Sequence, residues 1–145
     1  MPEASTKLYT PTLLALATGL SDYPLAGPFQ HNTEVRSRTC GSVLRLGADC
    51  DADGRITRIG MQVSACAVGQ SAATIMARSA KGRDTVEIAE ALTAIEAWLA
   101  GKAARPDWPG FDALEPAQPH TGRHGALVLP WKALHQALSS QPASR

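Results

Sequence analysis

The sequence predicts an α+β fold, in which a small three-stranded, mostly antiparallel sheet carries helices packed on one face. The first observation is a hairpin signal at residues 51–54, Asp-Ala-Asp-Gly, between two segments in which apolar residues alternate. These segments cover residues 43–50 and 59–63, and such alternation is typical of strands with one buried face. The second observation is a series of apolar stripes with the three- and four-residue spacing of helices.

The first stripe belongs to a short helix near the start of the chain. Thr10 and Pro11 favour a helix start, because Thr caps a first turn and Pro is tolerated within it. The stripe itself is Leu13, Leu16, Ala17 and Leu20. An irregular loop is predicted over residues 21–32. A first strand is predicted over residues 34–38, whose high charge places it at a sheet edge.

Two further helices follow the hairpin. The stripe of the first is Ala72, Ile75, Met76 and Ser79. We expect this helix to end near Gly82 and to bury Met76 in the core. Asp84 and Glu87 have the spacing of a capping box and open the second helix, which Gly101 ends. The stripe of the second helix is Ile88, Leu92, Ile95 and Leu99.

A proline-rich segment precedes the last helix. Residues 103–122 are predicted to form a loop that three apolar side chains anchor to the core. The anchors are Trp108, Phe111 and Leu114, and the stripe of the last helix is Leu127, Trp131, Leu134 and Leu138. Because Pro130 is tolerated only in a first helical turn, we expect residues 124–126 at the N-terminus of this helix.

Length, charge and cysteine count narrow the class of protein. The 145 residues fit one domain, 1–145, with flexible ends at 1–7 and 139–145. A net charge of +1 with both signs interspersed favours neither nucleic acid nor an anionic membrane as a partner. We expect no membrane span and no secretory signal. Three cysteines, an odd number, favour a cytoplasmic location and metal or thiol chemistry over disulfides.

Cys66 is the first candidate for that chemistry. It ends the second hairpin strand, and the small residues that follow, beginning with Ala67, open a helix. A thiol at a helix N-terminus lies at the positive end of the peptide dipoles, which favours the thiolate that binds metal or carries sulfur. The alternative is a buried structural cysteine that acts as a small apolar side chain.

Cys40 is the second candidate, because folding the hairpin about the centre of its turn places residue 40 opposite residue 65 or 66. Directly opposed residues lie about 4.5–5.5 Å apart. The pattern therefore brings the thiols of Cys40 and Cys66 within reach of one metal ion. Cys50 lies by the turn, roughly 33 Å of extended chain from Cys40, and is predicted to be structural.

Two arginines precede Cys40 in the predicted edge strand. Arg36 and Arg38 are close enough in sequence to lower the pKa of the Cys40 thiol, because a nearby cation favours the thiolate. Charged side chains on an edge strand are also commonly solvated and have no such role. Both interpretations remain open from the sequence.

Several short motifs occur in a fixed order along the chain. They are Leu8-Tyr9, Tyr23-Pro24-Leu25-Ala26-Gly27, Cys40-Gly41 with the hairpin, Cys66-Ala67, Lys81-Gly82-Arg83 and Leu129-Pro130-Trp131-Lys132-Ala133-Leu134. As an ordered set, the chain resembles the iron–sulfur cluster assembly scaffold family, the U-type scaffolds of the Isc, Suf and Nif systems. The resemblance covers about residues 8–138, and its last motif is closest to the Suf branch.

The resemblance implies a binding site with an incomplete ligand set. In that family three cysteines and one aspartate form the site, and a histidine or lysine often precedes the third cysteine. Cys40 and Cys66 match the first two cysteines, so the resemblance makes them cluster-binding residues. Ser42 stands at the aspartate position and Ala126 at the third cysteine, with His124 nearby as a candidate metal ligand alongside both cysteines. Ser42, water, a small thiol or a second subunit would supply a fourth ligand.

The resemblance implies a non-catalytic assembly protein. Such a protein would receive sulfide from a cysteine desulfurase, hold iron or a small cluster of the 2Fe–2S type at Cys40 and Cys66, and pass it to acceptor proteins, as a monomer or a homodimer. A zinc-binding sulfur acceptor or desulfurase activator is the alternative, and the missing third cysteine counts against it. A third hypothesis is a metal-free interaction module that keeps only the fold.

Overall fold

The predicted hairpin forms two of the three strands of the sheet. The computed structural model describes residues 8–38 and 40–140. Its strands are β1 (His31–Arg36), β2 (Val43–Cys50) and β3 (Ile56–Ser64), which pair antiparallel in the order β1-β2-β3. The central strand β2 has the predicted bounds, and the predicted α+β class with a three-stranded antiparallel sheet is confirmed.

Four α-helices are described along the chain. They are α1 (Pro11–Ala17), α2 (Ala67–Arg78), α3 (Thr85–Leu99) and α4 (His124–Ser139). Short 3-10 helices cover Thr18–Asp22, Phe111–Ala117 and Thr121–Arg123. No helix among the described residues is long and apolar enough to cross a membrane. Of the ends predicted to be flexible, residues 1–7 and 141–145 lie outside the described residues, and Ser139 ends α4.

Local capping signals account for the bounds of α1 and α3. The Thr10 hydroxyl accepts a hydrogen bond from the Leu13 N–H at 3.1 Å. The Asp84 carboxylate accepts from the Glu87 N–H at 2.9 Å, and the Glu87 carboxylate accepts from the Asp84 N–H at 3.1 Å. Gly101, just beyond α3, has a φ of 76°, which favours glycine. These predicted caps are confirmed.

The inner face of the sheet lies under the helices. Leu44, Leu46 and Ala48 of β2 are buried there, and Ile59 and Met61 of β3 extend the same face. Helix α4 packs against β1 and β2, while α2 and α3 pack against α4. Alternating apolar residues in β2 and β3 thus place the helices on one face of the sheet, as predicted.

The outer face is covered only towards the hairpin turn. Phe29 lies over Gly47 and Gly60, where a Cβ atom at either position would collide with the phenyl ring. The loop reaches β3 through the N–H of Met61, which donates to the carbonyl of Tyr23 at 2.9 Å. Both glycines are therefore required by the close approach of this loop.

Two strand predictions need correction. β1 starts at His31 rather than residue 34, because β2 is long enough to pair with all of residues 31–36, and the chain already turns at Arg38. The hairpin register also differs from the prediction, which placed Val43 opposite residue 62 or 63, whereas Val43 pairs with Ser64. The cause is an irregularity between Asp49 and Cys50, which adds a residue on one side of the turn.

The position of Pro130 also differs from the prediction. Helix α4 does begin at His124, but Pro130 lies in its second turn rather than its first. Residues 126–129 are all buried, and their burial outweighs the cost of about 3 kcal/mol for an internal proline. Upstream, the predicted loop includes two short 3-10 helices, and its three predicted anchors, Trp108, Phe111 and Leu114, are buried.

Candidate functional site

Cys40 and Cys66 lie beyond the same end of the β2–β3 hairpin. The last paired residues at that end are Val43 and Ser64. Cys40 precedes Val43 by three residues, and Cys66 follows Ser64 by two. Cys50 pairs with Ile56 at the opposite end of β2. The strands thus bring two of the three thiols to one end of the sheet and keep the third away from them.

Cys40 lies in the turn between β1 and β2 and is not paired with β3 as the sequence suggested. Hydrogen bonds from the Ser37 N–H to the Ser42 carbonyl (2.9 Å) and from the Gly41 N–H to the Ser37 carbonyl (3.1 Å) close this turn. Gly41 has a φ of 74°, which favours glycine. The turn leaves the Cys40 side chain exposed.

Two hydroxyl groups hold the Cys40 sulfur. Its S–H donates to Ser37 Oγ at 3.2 Å, and its Sγ lies 3.0 Å from Ser42 Oγ. Burial raises the pKa of the Cys40 thiol, but hydrogen bonds with Ser37 and Ser42 and the charge of Arg123 together hold this pKa below its ordinary value. Among the described residues, Arg123 is the cation that lowers the pKa of Cys40, rather than Arg36 or Arg38. Arg36 instead pairs with Glu34 at 3.1 Å.

Alkylation rates are expected to separate Cys40 from Cys50. Burial, followed by the charges of Asp51 and Asp49, raises the pKa of the half-buried Cys50 thiol. Cys40 is exposed and has a lowered pKa, so it holds more thiolate at neutral pH. Iodoacetamide should therefore modify Cys40 faster than Cys50.

The comparison uses two double variants that each leave one of these thiols. Cys50→Ser/Cys66→Ser retains Cys40, and Cys40→Ser/Cys66→Ser retains Cys50. The ratio of the two alkylation rates should fall as the pH rises, because both thiols become ionised. A ratio that stays constant between neutral and alkaline pH would contradict the pKa assignment.

Cys66 is the N-cap of α2 and is half-buried. Its carbonyl accepts a hydrogen bond from the Gln70 N–H at 3.0 Å. One turn further, Gly69 lies against Ala126 at the start of α4, since a Cβ atom on Gly69 would be 3.3 Å from the Ala126 Cβ. The small residues after Cys66 thus allow α4 to approach the first turn of α2 closely.

His124 begins α4, and its ring is already bonded to the backbone. Its Nε2 lies 2.6 Å from the carbonyl oxygen of Gln118, which can only accept, so this nitrogen donates the hydrogen bond. Among residues 8–38 and 40–140, no three His, Cys, Asp or Glu side chains are grouped so that they could hold a metal ion. The predicted third ligand therefore does not join the two thiols in this arrangement, and its role as a ligand stays a prediction.

Solved structures share this arrangement of strands and helices. The N-terminal part of a nitrogen-fixing NifU-like protein from Brucella abortus matches with a TM-score of 0.85 and 23% sequence identity, over 93% of this chain and 94% of that chain. A candidate iron–sulfur cluster assembly scaffold protein for the SUF system from Fervidobacterium islandicum AW-1 matches with a TM-score of 0.82 and 20% identity, over 91% and 97%. The chain has the fold of the U-type scaffolds. No protein-family model and no curated protein matches it.

The structure shows three interactions near Cys40 and Cys66 that sequence reasoning missed. Ser37 bonds to Cys40 across one turn, and its position three residues before the cysteine was the available signal. The electrostatic effect of Arg123 on Cys40 and the contact of Gly69 with Ala126 join segments that are far apart in sequence. No local pattern could have indicated either of these two.

Proposed function

We propose that this chain is a non-catalytic iron–sulfur cluster assembly protein of the U-type scaffold family, which holds iron and sulfide transiently at Cys40 and Cys66. The observation that carries the proposal is the pairing of Val43 with Ser64, because it sets the two cysteines just beyond the same end of the hairpin. The fold shared with the two solved structures supports the assignment.

The surroundings of the two thiols suit iron and sulfide. Thiolates are the usual protein ligands of iron–sulfur clusters. Hydroxyl groups of Ser37 and Ser42 and the positive charge of Arg123 favour the thiolate form of Cys40. Cys40 is exposed at the tip of a turn, which leaves it accessible to the cysteine desulfurase that would supply sulfur and to the proteins that would accept the cluster.

Transient rather than permanent binding follows from the ligand count. A closed cluster site in one chain needs about four protein ligands, whereas this end of the sheet offers two thiols. Ser42 occupies the position of the family aspartate and Ala126 that of the third cysteine. We therefore expect iron to leave this chain more readily than a site with a full ligand set would allow.

Anaerobic reconstitution with iron and sulfide tests the proposal. The absorption spectrum should gain the charge-transfer bands of a sulfide-bridged cluster. Cys66→Ser should abolish these bands, because it removes one of two protein ligands. Cys50→Ser is the matched control and should leave them unchanged, since Cys50 lies at the other end of β2.

Other outcomes would select another hypothesis. Equal loss of the bands in Cys66→Ser and Cys50→Ser would contradict the assignment of the site to the open hairpin end. Zinc in the purified protein without cluster bands would favour the sulfur-acceptor function. Neither signal, in a folded protein, would favour a metal-free interaction module. Co-sedimentation with a cysteine desulfurase, weakened by changes in the Cys40 turn, would support the proposed partner.

A further inference from the structure

The two edges of the sheet differ in how the chain covers them. At the β3 edge, the Met61 N–H donates to the Tyr23 carbonyl at 2.9 Å, and the Ile56 N–H donates to the Arg83 carbonyl at 2.9 Å. At the β1 edge, within residues 8–38 and 40–140, no backbone–backbone hydrogen bond joins the strand to a segment other than β2. The fold therefore leaves the edge of β1 open to pairing.

The hydrogen-bond pattern of β1 shows which backbone groups lie on this open edge. The Ser37 N–H donates to the Ser42 carbonyl at 2.9 Å, one residue beyond the last pair of β1 and β2. Bonded and non-bonded pairs alternate along an antiparallel ladder. The N–H and carbonyl groups of Asn32, Glu34 and Arg36 therefore point away from β2, where an added strand would bond to them.

The side chains on this edge are complementary to a second copy of the same edge. Glu34 and Arg36 are exposed on either side of the half-buried Val35, and the Arg36 side chain is 70% exposed. Like charges on an edge strand would repel an identical strand. Here the two charges have opposite signs, so an antiparallel copy centred on Val35 places each glutamate opposite an arginine.

We infer that β1 pairs with β1 of a second copy, antiparallel about a twofold axis at Val35, so that two three-stranded sheets join into one continuous sheet. Glu34 then faces Arg36 of the second copy, and Arg36 faces Glu34 of the second copy. Each of these two pairs exchanges two backbone hydrogen bonds. The inference goes beyond the proposed function, because it involves neither the cysteines nor iron.

Contacts within one chain favour this register over its neighbours. The Glu34 carboxylate accepts a hydrogen bond from Arg45 Nε at 2.9 Å, and Arg45 lies directly opposite Glu34 on β2. In the joined sheet, Arg45, Glu34 and Arg36 of the second copy form one cross-strand row of alternating charge. Val35 meets its own copy at the closest spacing of an antiparallel ladder, about 4.5 Å between Cα atoms. A shift of the pairing centre to Glu34 would instead place the two glutamates opposite each other.

The helices and the candidate site leave room for this pairing. Helix α4 packs on the inner face over both β1 and β2. It thus lies about one strand spacing from the axis, and its two copies lie about 10 Å apart, a usual distance between packed helices. Because the paired strands are antiparallel, the two exposed Cys40 turns lie at opposite ends of the interface and stay accessible.

Sedimentation velocity over a series of protein concentrations tests the inference, with a chelator and a phosphine present to exclude metal ions and disulfides. We expect monomers that form dimers as the concentration rises. Arg36→Glu places glutamate opposite glutamate, and Glu34→Lys places cation opposite cation, so each should raise the dissociation constant at least about tenfold. An equimolar mixture of these two variants should restore dimers, because every glutamate again faces a cation. Arg105→Glu, in the exposed pair with Glu115, is the matched control and should dimerise like the unchanged protein.

A cysteine cross-link tests the register. Val35→Cys is introduced into the Cys40→Ser/Cys50→Ser/Cys66→Ser protein, and a thiol oxidant is added. We expect a disulfide-linked dimer, because the Cα atoms of this pair lie about 4.5 Å apart in the joined sheet. Thr33→Cys, on the same face of β1, is the matched control. Its two copies would lie roughly 13 Å apart along the strands and should stay unlinked.

Other results would overturn the inference. A monomer at every concentration, without a cross-link through Val35→Cys, would exclude a second copy and leave the edge to an extended segment of another protein. Charge variants that dimerise as readily as the unchanged protein would place the interface elsewhere, and faster cross-linking through Thr33→Cys would contradict the register. Because these measurements contain no metal, their failure would leave the proposed function standing.

Discussion

Ala126→Cys is expected to raise the iron that each chain retains after reconstitution about twofold. On the proposed function, Ala126 takes the position of the third cysteine, and it lies against Gly69, one turn beyond Cys66. A thiol there would give one chain three sulfur ligands. The variant chain would then come closer to the four ligands of a closed cluster site.

The packing around Ala126 favours such a thiol facing the first turn of α2. Ala126 is 1% exposed, and Gly69 opposite it has no side chain. Pro130, four residues on, has no N–H to donate to the Ala126 carbonyl. The first turn of α4 is therefore held less tightly than the helix interior, which lets it adjust to the added sulfur.

Ala133→Cys is the matched control. Ala133 is equally buried in α4, two turns further along the same side of the helix and roughly 10 Å from Ala126 along its axis. Its thiol should add no iron. Iron is measured by a colorimetric assay. Equal iron content in the Ala126→Cys and Ala133→Cys proteins would contradict the placement of Ala126 at the site.

Structural features that depend only on neighbouring residues could be predicted from the sequence. The bounds of β2, Val43–Cys50, follow from the alternation of apolar residues between Gly41 and the turn at residues 51–54. The caps at Thr10 and Asp84 follow from motifs four residues long. The sheet and the order of the helices follow from these local signals, because the spacing of apolar residues in each element matches the face that the element buries.

Features that depend on one residue of register could not be predicted as well. The irregularity between Asp49 and Cys50 shifts the β2–β3 pairs from Asp49 to Val43 by one residue relative to the Cys50–Ile56 pair. No residue pattern in the turn predicts it. Cys40 also lies in the β1–β2 turn, because β2 begins only at Val43, and it is not directly opposite Cys66. Its position at the same end of the hairpin was still predictable, because that end is set by the whole length of the strands.

Contacts of the 103–122 segment were beyond sequence reasoning for a different reason. The bond from His124 to Gln118 and the effect of Arg123 on Cys40 depend on how this segment turns before α4. Its two 3-10 helices have no strong periodicity. Residues 124–126 do form the start of α4, as predicted, but Pro130 lies in its second turn. The buried anchors Trp108 and Phe111 were predictable because large apolar side chains in a short loop usually reach the core.

Trp131→Ala is expected to lower the free energy of unfolding by about 3–5 kcal/mol. This is a large part of the roughly 5–15 kcal/mol that is typical of a whole domain. Trp131 is fully buried in α4. Its ring packs edge-on against Trp108, with centroids 5.6 Å apart, and against Phe111 at 5.7 Å. The Trp108 N–H in turn donates to the Ile75 carbonyl in α2 at 3.0 Å.

The size of the effect follows from what Trp131 holds together. Its ring joins α4 to the 103–122 segment, and Trp108 continues the contact to α2. Truncation leaves a cavity that these rigid rings cannot fill without breaking the bond to Ile75. Because Cys66 is the N-cap of α2, which this contact supports, the same truncation should lower the yield of cluster on reconstitution.

Urea titration of the unfolding transition, followed by circular dichroism, measures the loss. Trp131→Phe is the matched variant: within the described part of the chain the Trp131 Nε1 has no hydrogen-bond partner, so this change removes volume alone and should cost roughly 1 kcal/mol. Leu14→Ala, at an exposed position in α1, should leave the midpoint almost unchanged. A Trp131→Ala protein no less stable than Trp131→Phe would show that this ring does not hold α4, the loop and α2 together.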